Sequence, residues 1–363
     1  MKKKRLLLPA LCLLVPLALM VSAMAAGGSL SDPLASLSYL TGIFTDTINK
    51  QVEEKLDDSD EELLSGDWET SSGSSAATWA ETRMKEGDIL TGTTGTSVLV
   101  LAGSANVVFS GTVVDVTTGA AVPNGSALTV NHRYLVAEDT TADFMVTSKT
   151  AVVDYQGNYA FRYSDATDYN AIAAALKTLN LFKGSYTGYG QGYDLEVAPT
   201  RLQALIMFIR VLGEEDAALS YTGTTPFTDI AAGTQSEKYV GYAYSKGYTN
   251  GYSATTFRPN QTVTAGQYME FMLRALGYSS SANTDLSNTL INAFTNGVIT
   301  AGELSALQSG TFLRADLVYV SYYALDAWMA GSSQTLREVL LGKGTFTSAQ
   351  DRTAADLIPS GRK

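Results

Sequence analysis

The sequence has little of the side-chain chemistry on which many enzymes and metal proteins depend. Its 363 residues include one cysteine and one histidine. Cys12 lies in the apolar stretch that opens the chain, so the remainder has no thiol for a disulfide framework. With no cysteine partner and no second histidine, His132 favours neither a metal centre nor a catalytic role. A surface position in a strand is the simpler interpretation of this histidine, and we expect no metal and no cofactor.

Positive charge is also scarce. Lysine and arginine together number 25 against 36 aspartate and glutamate residues, which gives a formal net charge of −11 at pH 7. Nucleic-acid binding depends on lysine and arginine clustered along the phosphate backbone. The acidic balance therefore argues against nucleic acid as a partner. Apolar residues at 45% and charged residues at 17% indicate a globular chain.

The first 25 residues have the pattern of a secretory signal peptide. Residues 2–5 are basic, residues 6–21 are mostly apolar, and residues 23–25 form the small-x-small cleavage site Ala-Met-Ala. An uncleaved membrane anchor is disfavoured because Pro9 and Pro16 interrupt the apolar run. Cleavage removes four basic residues and no acidic one, so the formal charge of the exported chain becomes −15.

Residues 26–66 are predicted to form an amphipathic helix followed by an acidic run. Apolar residues recur every three or four positions over residues 32–56, and Pro33 suits the first helical turn. This apolar stripe would pack either on the rest of the protein or on a second copy in a short coiled coil, so self-association through it stays open. The acidic residues 57–62 lack the glycine of a calcium loop and are interpreted as solvated. Residues 67–81 form a linker rich in serine and glycine.

Residues 82–160 change in character and predict a small antiparallel β sandwich or barrel. Short runs rich in valine and threonine alternate between apolar and polar residues, separated by turn pairs such as Asn124-Gly125. About six to eight short strands at this spacing are typical of such folds. A carbohydrate-active enzyme would need two carboxylates placed as acid and base. The segment's carboxylates show no recognisable pairing; they include Asp88, Asp115, Asp139 and Asp143.

From residue 161 to 330 the sequence repeats a helix, a loop and a second helix three times. The copies span about 161–214, 227–278 and 284–330, and a C-terminal helix and polar tail follow over 331–363. Units of this size cannot bury their own apolar faces, so we expect the three copies to stack on one core.

A polar residue marks the start of the second helix in two of the copies. Thr200 opens it in the first copy and Thr264 in the second, 64 residues later. Leu313 opens it in the third copy after a further 49 residues. The third copy is therefore shorter and lacks the capping hydroxyl.

The middle copy has an order of motifs that can be compared with a known repeat. Between Phe227 and Tyr278 this order is Phe-x-Asp, helix, Gly-Tyr, Thr-Phe-Arg-Pro-Asn, Thr, helix and Leu-Gly. It resembles the S-layer homology (SLH) repeat of bacterial surface proteins. The resemblance covers a little under half of the chain and implies a pseudo-threefold bundle whose grooves hold acidic, often pyruvylated, secondary cell-wall polysaccharide. The expected fold is α+β in several domains: an N-terminal helix, the β sandwich or barrel, and an all-α SLH-type bundle of three repeats.

In the SLH family the second helix opens with Thr-Arg-Ala-Glu, and the arginine points into a groove between repeats. A guanidinium suits an acidic sugar because it forms paired hydrogen bonds with a carboxylate. The first copy keeps the threonine and arginine, the second has Ala265 in place of the arginine, and the third keeps the arginine and an acid. The resemblance assigns polysaccharide binding to Thr200, Arg201, Arg314, Asp316, Asp165, Asp229, Gly251, Tyr252 and Arg258.

These observations predict a secreted, non-enzymatic protein of the cell surface or cell wall, anchored noncovalently to wall polysaccharide through SLH repeats. Two alternatives stay open. In the first alternative the protein is a secreted carbohydrate-active enzyme with its active site in the β segment. In the second it is an oligomeric surface assembly protein in which the repeats are only a scaffold.

Overall fold

A computed structural model describes residues 74–184, 188–280, 285–359 and 361–363. All of them belong to one compact unit that extends from Glu69 to Lys363. The predicted signal peptide, the amphipathic helix with its acidic run and the first part of the linker lie outside the described residues.

In the described part of the chain, nine antiparallel strands form one curled sheet, a half-barrel. They are β1 (Ser74–Lys85), β2 (Ile89–Thr93), β3 (Ser97–Ala102), β4 (Ala105–Ser110), β5 (Val113–Asp115), β6 (Ala120–Ala121), β7 (Arg133–Val136), β8 (Thr141–Val146) and β9 (Thr150–Arg162). The strand order is β4-β8-β2-β9-β3-β7-β5-β6, and β1 pairs with β9. Because β4 and β6 are the ends of this order among the described strands, the sheet is open, whereas the sequence had suggested a closed barrel or a two-sheet sandwich.

The long strand β9 explains the curl of the sheet. It pairs with β3 through residues 152–156 and with β2 through residues 159–162, so two successive strands share one neighbour. Gly157 lies between these two pairings with φ at 104°, and a Cβ there would be 2.8 Å from the Cα of Thr96. Only glycine fits such a close approach between backbones.

Alternating burial gives the sheet a core of its own. In β8, for example, the side chains of Ala142, Phe144 and Val146 are buried and those between them are not. This matches the alternation read from the sequence. The sheet extends past the predicted segment at both ends, since β1 begins at Ser74, inside the predicted linker, and β9 ends at Arg162.

Ten α-helices follow the sheet in the described part of the chain. They are α1 (Tyr169–Thr178), α2 (Arg201–Val211), α3 (Glu215–Leu219), α4 (Gln235–Ser245), α5 (Ala265–Leu276), α6 (Thr289–Thr295), α7 (Ala301–Gln308), α8 (Arg314–Ala324), α9 (Leu336–Lys343) and α10 (Ser348–Asp356). The first helices of the three copies are α1, α4 and α6, and the second helices are α2, α5 and α8. The chain is thus mixed α+β, as predicted.

The helices of the three copies pack in a ring around a second hydrophobic core. Helix α4 packs on α2, α6 packs on α5, and α1 packs on α8. Each first helix therefore lies against the second helix of the copy before it, and the first copy meets the third. The three second helices also contact one another. One such contact is the buried hydrogen bond of 2.6 Å between the hydroxyls of Tyr268 and Ser321.

Three helices were not predicted. Helix α3, five residues long, directly follows the first copy. Helix α7 lies between the two expected helices of the third copy and is capped by Thr300. Helix α10 lies in the segment predicted as a polar tail, where Thr347 caps it, and it packs on α1. All three are short, with five, eight and nine residues, so they offer too little apolar periodicity to stand out in the sequence. Among the described helices none has the length and apolar character that a membrane span requires.

Polar contacts join strand β1 to the loop of the first copy. The Arg83 guanidinium forms an ion pair with Glu196, and its Nη1 donates to the carbonyl of Gly190 at 2.9 Å. Its Nε donates to Asn170 Oδ1 at 2.7 Å. Gly190 also donates its N–H to a carboxylate oxygen of Glu81 at 2.8 Å. The sheet therefore holds the loop that precedes α2.

Candidate functional site

Arg201 is the first residue of α2 and lies almost completely inside the protein. The Thr200 hydroxyl accepts the N–H of Gln203 at 3.2 Å, and the Gln203 side chain accepts the N–H of Thr200 at 3.0 Å. This capping box fixes where the helix begins and hence where Arg201 points. Arg201 keeps 4% of its surface exposed. Its Nε donates to the carbonyl of Phe257 at 2.9 Å, and its guanidinium carbon is 5.0 Å from the centre of the Phe257 ring.

Among the described residues, this is the one hydrogen bond that the Arg201 guanidinium donates. Burial lowers the pKa of Arg201, Tyr252 and Asp229 oppose that effect, and the positive charge of Arg258 reinforces it. Neither terminal amino group of the guanidinium donates a hydrogen bond to the described residues.

Asp229 holds the loop that faces Arg201. One carboxylate oxygen accepts the N–H of Phe257 at 2.8 Å, and the other accepts the N–H of Arg258 at 2.7 Å. The carboxylate is thus engaged with the backbone of the loop. At Gly251 in the same loop φ is 80°, and a Cβ would lie 2.3 Å from the ring of Phe227. A glycine is required there.

Arg258 stacks on Tyr252 at the surface of the same loop. Its guanidinium carbon lies 3.5 Å from the centre of the ring, and 48% of Tyr252 is exposed. Arg258 adopts the left-handed conformation with φ at 59°. A cation held on an aromatic face keeps its charge in a defined place. The Arg201 groove, as we name it, consists of Arg201, Asp229, Tyr252, Phe257 and Arg258.

Arg314 is the first residue of α8, as Arg201 is of α2, but its guanidinium is paired with an acid. Its Nη1 donates to Asp194 Oδ2 at 3.0 Å, and the two side chains are 12% and 11% exposed. Burial lowers the pKa of Arg314, Asp194 raises it, and Arg210 lowers it. Arg314 and Arg210 line a cleft of about 170 Å³. Arg210 is itself paired with Glu215 at 2.8 Å. The Arg314 groove, as we name it, consists of Asp194, Arg210 and Arg314.

The backbone around Arg201 forms a junction between the first and second copies. The N–H of Arg201 donates to the carbonyl of Gln261 at 2.8 Å. The N–H of Leu202 donates to the carbonyl of Pro259 at 3.1 Å. These two carbonyls stand three and five residues before Thr264, the cap of the second helix in the second copy.

The backbone around Arg314 forms the same junction between the third and first copies. The N–H of Arg314 donates to the carbonyl of Val197 at 2.9 Å, and that of Ala315 to the carbonyl of Leu195 at 3.0 Å. These carbonyls again stand three and five residues before a cap, here Thr200. The two grooves are therefore built on equivalent backbone positions.

Two predicted binding residues have other surroundings. The carboxylate of Asp316 accepts the N–H of Leu313 at 3.0 Å, and Lys149 Nζ donates to its two oxygens at 2.6 and 2.7 Å. This ion pair ties the sheet to α8. Asp165 is exposed in the bend between β9 and α1, and Asp168 caps that helix through a hydrogen bond of 2.9 Å from the N–H of Ala171. The structure brings neither aspartate into the Arg201 groove.

Sequence reasoning missed three residues of the grooves, Phe257, Asp194 and Arg210. Phe257 and Asp194 stand in loops a short distance before a helix cap. Asp194 is six residues before Thr200, and Arg258, the neighbour of Phe257, is six residues before Thr264. Aligning the loops on their caps would have shown that the two copies carry opposite charges at one position.

Three of the four β-sheet carboxylates named from the sequence, Asp88, Asp115 and Asp143, are engaged with structural partners. His132 Nδ1 lies 2.7 Å from Asp115 Oδ2; burial raises the pKa of Asp115, but this contact and bonds from Thr117 and Thr118 lower it overall. His132 is thus half-buried and bonded, where the sequence had suggested a surface strand position. The other predicted carboxylates are Asp88, which accepts from Lys85 Nζ at 2.9 Å, Asp143, which accepts from Thr91 Oγ1 at 2.5 Å, and Asp139, exposed in a turn.

Comparison with known proteins identifies the repeat. Residues 226–269 match the family model of the S-layer homology domain. The chain is 27% identical over 137 residues to a surface layer protein of Brevibacillus choshinensis, which covers 37% of this chain and 12% of that protein. It is 24% identical over 180 residues to the middle cell wall protein of Brevibacillus brevis, covering 46% and 17%. It is 27% identical over 207 residues to a cell surface protein of Thermoanaerobacter kivui, covering 53% and 26%. The chain thus spans about a quarter or less of the length of each of these relatives.

The matched residues include Asp229, Tyr252 and Arg258 and the cap of α5, so the family model covers the loop side of the Arg201 groove. The resemblance stated from the sequence is confirmed by this match. None of the three relatives is named as an enzyme. Residues 226–269 therefore match an S-layer homology domain, and the three relatives are named as proteins of the surface layer, the cell wall and the cell surface.

Proposed function

We propose that the protein is anchored noncovalently to an acidic polysaccharide of the cell wall, and that the Arg201 groove binds a carboxylate of that polymer. One observation carries this proposal: a guanidinium that is 4% exposed donates one hydrogen bond, through Nε, to the described protein. A buried cation without an anionic partner is costly, and a ligand carboxylate would compensate it.

The surroundings of Arg201 suit an acidic sugar in charge and in shape. Arg258 supplies a second positive charge at the rim of the groove. The nearby carboxylate of Asp229 is engaged by two backbone N–H groups, which neutralise part of its charge. The N-terminal end of α2 adds a favourable dipole. The exposed ring of Tyr252 offers an apolar face on which a sugar ring can pack. A pyruvyl ketal, which places a carboxylate on a sugar ring, has the required chemistry.

The ring of helices supports the same proposal at the level of architecture. The first helices α1, α4 and α6 pack on the second helices of the neighbouring copies, and the ring closes between the third and first copies. Equivalent backbone junctions occur at Arg201 and at Arg314. We infer that the ring is an SLH-type bundle of three repeats, in which each groove belongs to two copies.

Co-sedimentation with isolated sacculi tests the proposal directly. The full chain is mixed with native sacculi, with sacculi stripped of polysaccharide by hydrofluoric acid, and with sacculi whose carboxyl groups have been converted to amides by a carbodiimide. We expect the protein to sediment with the native preparation and to stay in solution with the other two. Equal sedimentation with native and amidated sacculi would rule out a carboxylate as the group recognised.

Two variants locate the binding in the Arg201 groove. Arg201→Lys keeps the positive charge but loses the fork of donors, and we expect affinity for native sacculi to fall by about tenfold or more. Arg258→Asn removes the exposed cation, and asparagine tolerates the left-handed backbone at that position. Arg352→Ala, which removes an exposed arginine from α10, is the matched control. If both variants sediment as the control does while their thermal unfolding is unchanged, the groove is not the binding site.

A further inference from the structure

The two arginine grooves differ at one equivalent loop position. In the Arg201 groove this position, six residues before the helix cap, is Arg258; in the Arg314 groove it is Asp194. Both residues have left-handed backbone conformations, with φ at 59° and 50°. The same place in two equivalent junctions is therefore filled once by a cation and once by an anion.

Asp194 already supplies Arg314 with a carboxylate. Arg314 Nη1 donates to Asp194 Oδ2 at 3.0 Å, and both side chains are nearly buried. The second arginine of this groove, Arg210, is paired with Glu215. An acidic sugar entering the groove would have to displace one of these internal acids and would be repelled by it. Among the described residues no acid forms an ion pair with Arg201, and the loop acid Asp229 accepts hydrogen bonds from the backbone instead.

The position of Asp194 is fixed from both sides of its loop. On one side Arg83 and Glu81 of strand β1 bind the backbone of Gly190. On the other side Glu196 is paired with Arg83. The neighbouring carbonyl of Leu195 accepts a hydrogen bond from α8. Asp194 is thus held against Arg314 by the sheet and by the helix that carries the arginine.

We propose that Asp194 is a specificity-determining residue: it acts as an internal counter-ion that closes the Arg314 groove to acidic sugars, so that of the two arginine grooves only the Arg201 groove binds a carboxylate. The proposal rests on the proposed function for the class of ligand. It adds that Asp194 blocks the binding of an acidic sugar at Arg314, and that contacts with the β sheet hold the loop of Asp194 in position.

Titration calorimetry on the full chain tests this inference, with a hexose that carries a 4,6-linked pyruvyl ketal as the probe. The variants are Asp194→Asn, Arg201→Lys and their combination. Asparagine keeps the backbone conformation and can still accept a hydrogen bond from Arg314, so the fold is retained. Asp194→Gly suits φ of 50° as well and serves as a second variant. Asp216→Asn, which removes an exposed acid from α3, is the matched control.

We expect one bound probe for the wild type and the control, two for Asp194→Asn, none for Arg201→Lys and one for the double variant. In the Arg201→Lys background, removal of the acid should raise affinity by about tenfold or more, because like-charge contacts cost several kcal/mol. A folded Asp194→Asn protein that binds one probe, together with a double variant that binds none, would overturn the inference. So would two probes bound by the wild type.

The same experiment separates the two proposals. If the wild type and Arg201→Lys both fail to bind while Asp194→Asn binds one probe, the inference stands and the role given to Arg201 is wrong. If the wild type binds one probe through Arg201 and Asp194→Asn binds no more, the proposed function stands and the inference is wrong. Failure of all variants to bind the probe would overturn both.

Discussion

Asp229→Asn is an informative perturbation because two effects of the aspartate predict opposite outcomes. The carboxylate lies near Arg201 and Arg258, so it should repel an acidic ligand, and its removal should strengthen binding. The same carboxylate accepts the N–H groups of Phe257 and Arg258 and so holds the loop that forms one wall of the groove. Its removal should then weaken binding.

Magnitudes decide between these effects. An asparagine offers one acceptor oxygen, so one of the two hydrogen bonds is lost and one backbone N–H is left for water. For an exposed acceptor we set the loss at about 1.4 kcal/mol, near the upper end of the usual net range. A unit charge about 6 Å from the ligand carboxylate contributes about 0.7 kcal/mol in water. The loss of loop order therefore exceeds the relief of repulsion, and we expect affinity for native sacculi to fall about threefold.

The salt dependence of binding distinguishes the charge repulsion from the loss of the hydrogen bond. Added salt screens the charge effect but not the hydrogen bond. The ratio of wild-type to Asp229→Asn affinity should therefore rise from about threefold at low ionic strength towards about tenfold in 0.5 M salt. The midpoint of thermal unfolding should fall by about 3 °C. Asp216→Asn removes an equally exposed charge and should change neither quantity.

An Asp229→Asn protein that binds native sacculi more tightly than the wild type at low salt would show that repulsion dominates. An unchanged unfolding midpoint with a ratio that does not depend on salt would show that the two hydrogen bonds do not order the loop. Either result would refute the reasoning above.

Three further perturbations test the scaffold. Arg83→Met leaves Glu196 buried without its cation and should lower the free energy of unfolding by about 3 kcal/mol or more in a urea titration. Burial alone would raise the pKa of Glu215, but the hydrogen-bond donors around this carboxylate lower its pKa to about 2 from an ordinary 4.5. The ionised carboxylate therefore stabilises the fold fully above pH 4.5, and this stabilisation is lost as the pH falls towards 2. The gap in unfolding free energy between wild type and Glu215→Gln should narrow over that window. Gly251→Ala should cost about 2 kcal/mol, because φ is 80° and the new methyl would overlap the ring of Phe227; calorimetry measures the cost.

Local patterns predicted the helices of the repeats well. Thr200 and Thr264 are the caps that the sequence suggested, and each completes a capping box with the glutamine three residues later. These features depend on neighbours within one turn, so a single stretch of sequence contains all the information they need. The resemblance named Gly251 among the binding residues, but its close approach to Phe227 is visible only in the structure.

Features that depend on distant parts of the chain could not be predicted. The sheet is curled because β9 pairs with both β2 and β3. No short stretch of sequence indicates which strands pair with each other. Asp316 looked like the acid of a family motif, yet it is paired with Lys149 from the sheet, 167 residues away. The resemblance assigned both Asp165 and Asp229 to binding, and of these two described residues it is Asp229 that accepts hydrogen bonds from loop N–H groups.

The arginines illustrate why reading one repeat at a time misleads. In the sequence, Arg201 and Arg314 both stand at the start of a second helix, and nothing within either repeat distinguishes their ability to bind an acid. Their surroundings come from other copies: Arg201 faces the loop of the second copy, and Arg314 faces the loop of the first. The functional unit is therefore a junction made by the helix start of one copy and the loop of another. The charge that the loop brings, positive at Arg258 and negative at Asp194, decides what the arginine beside it can bind.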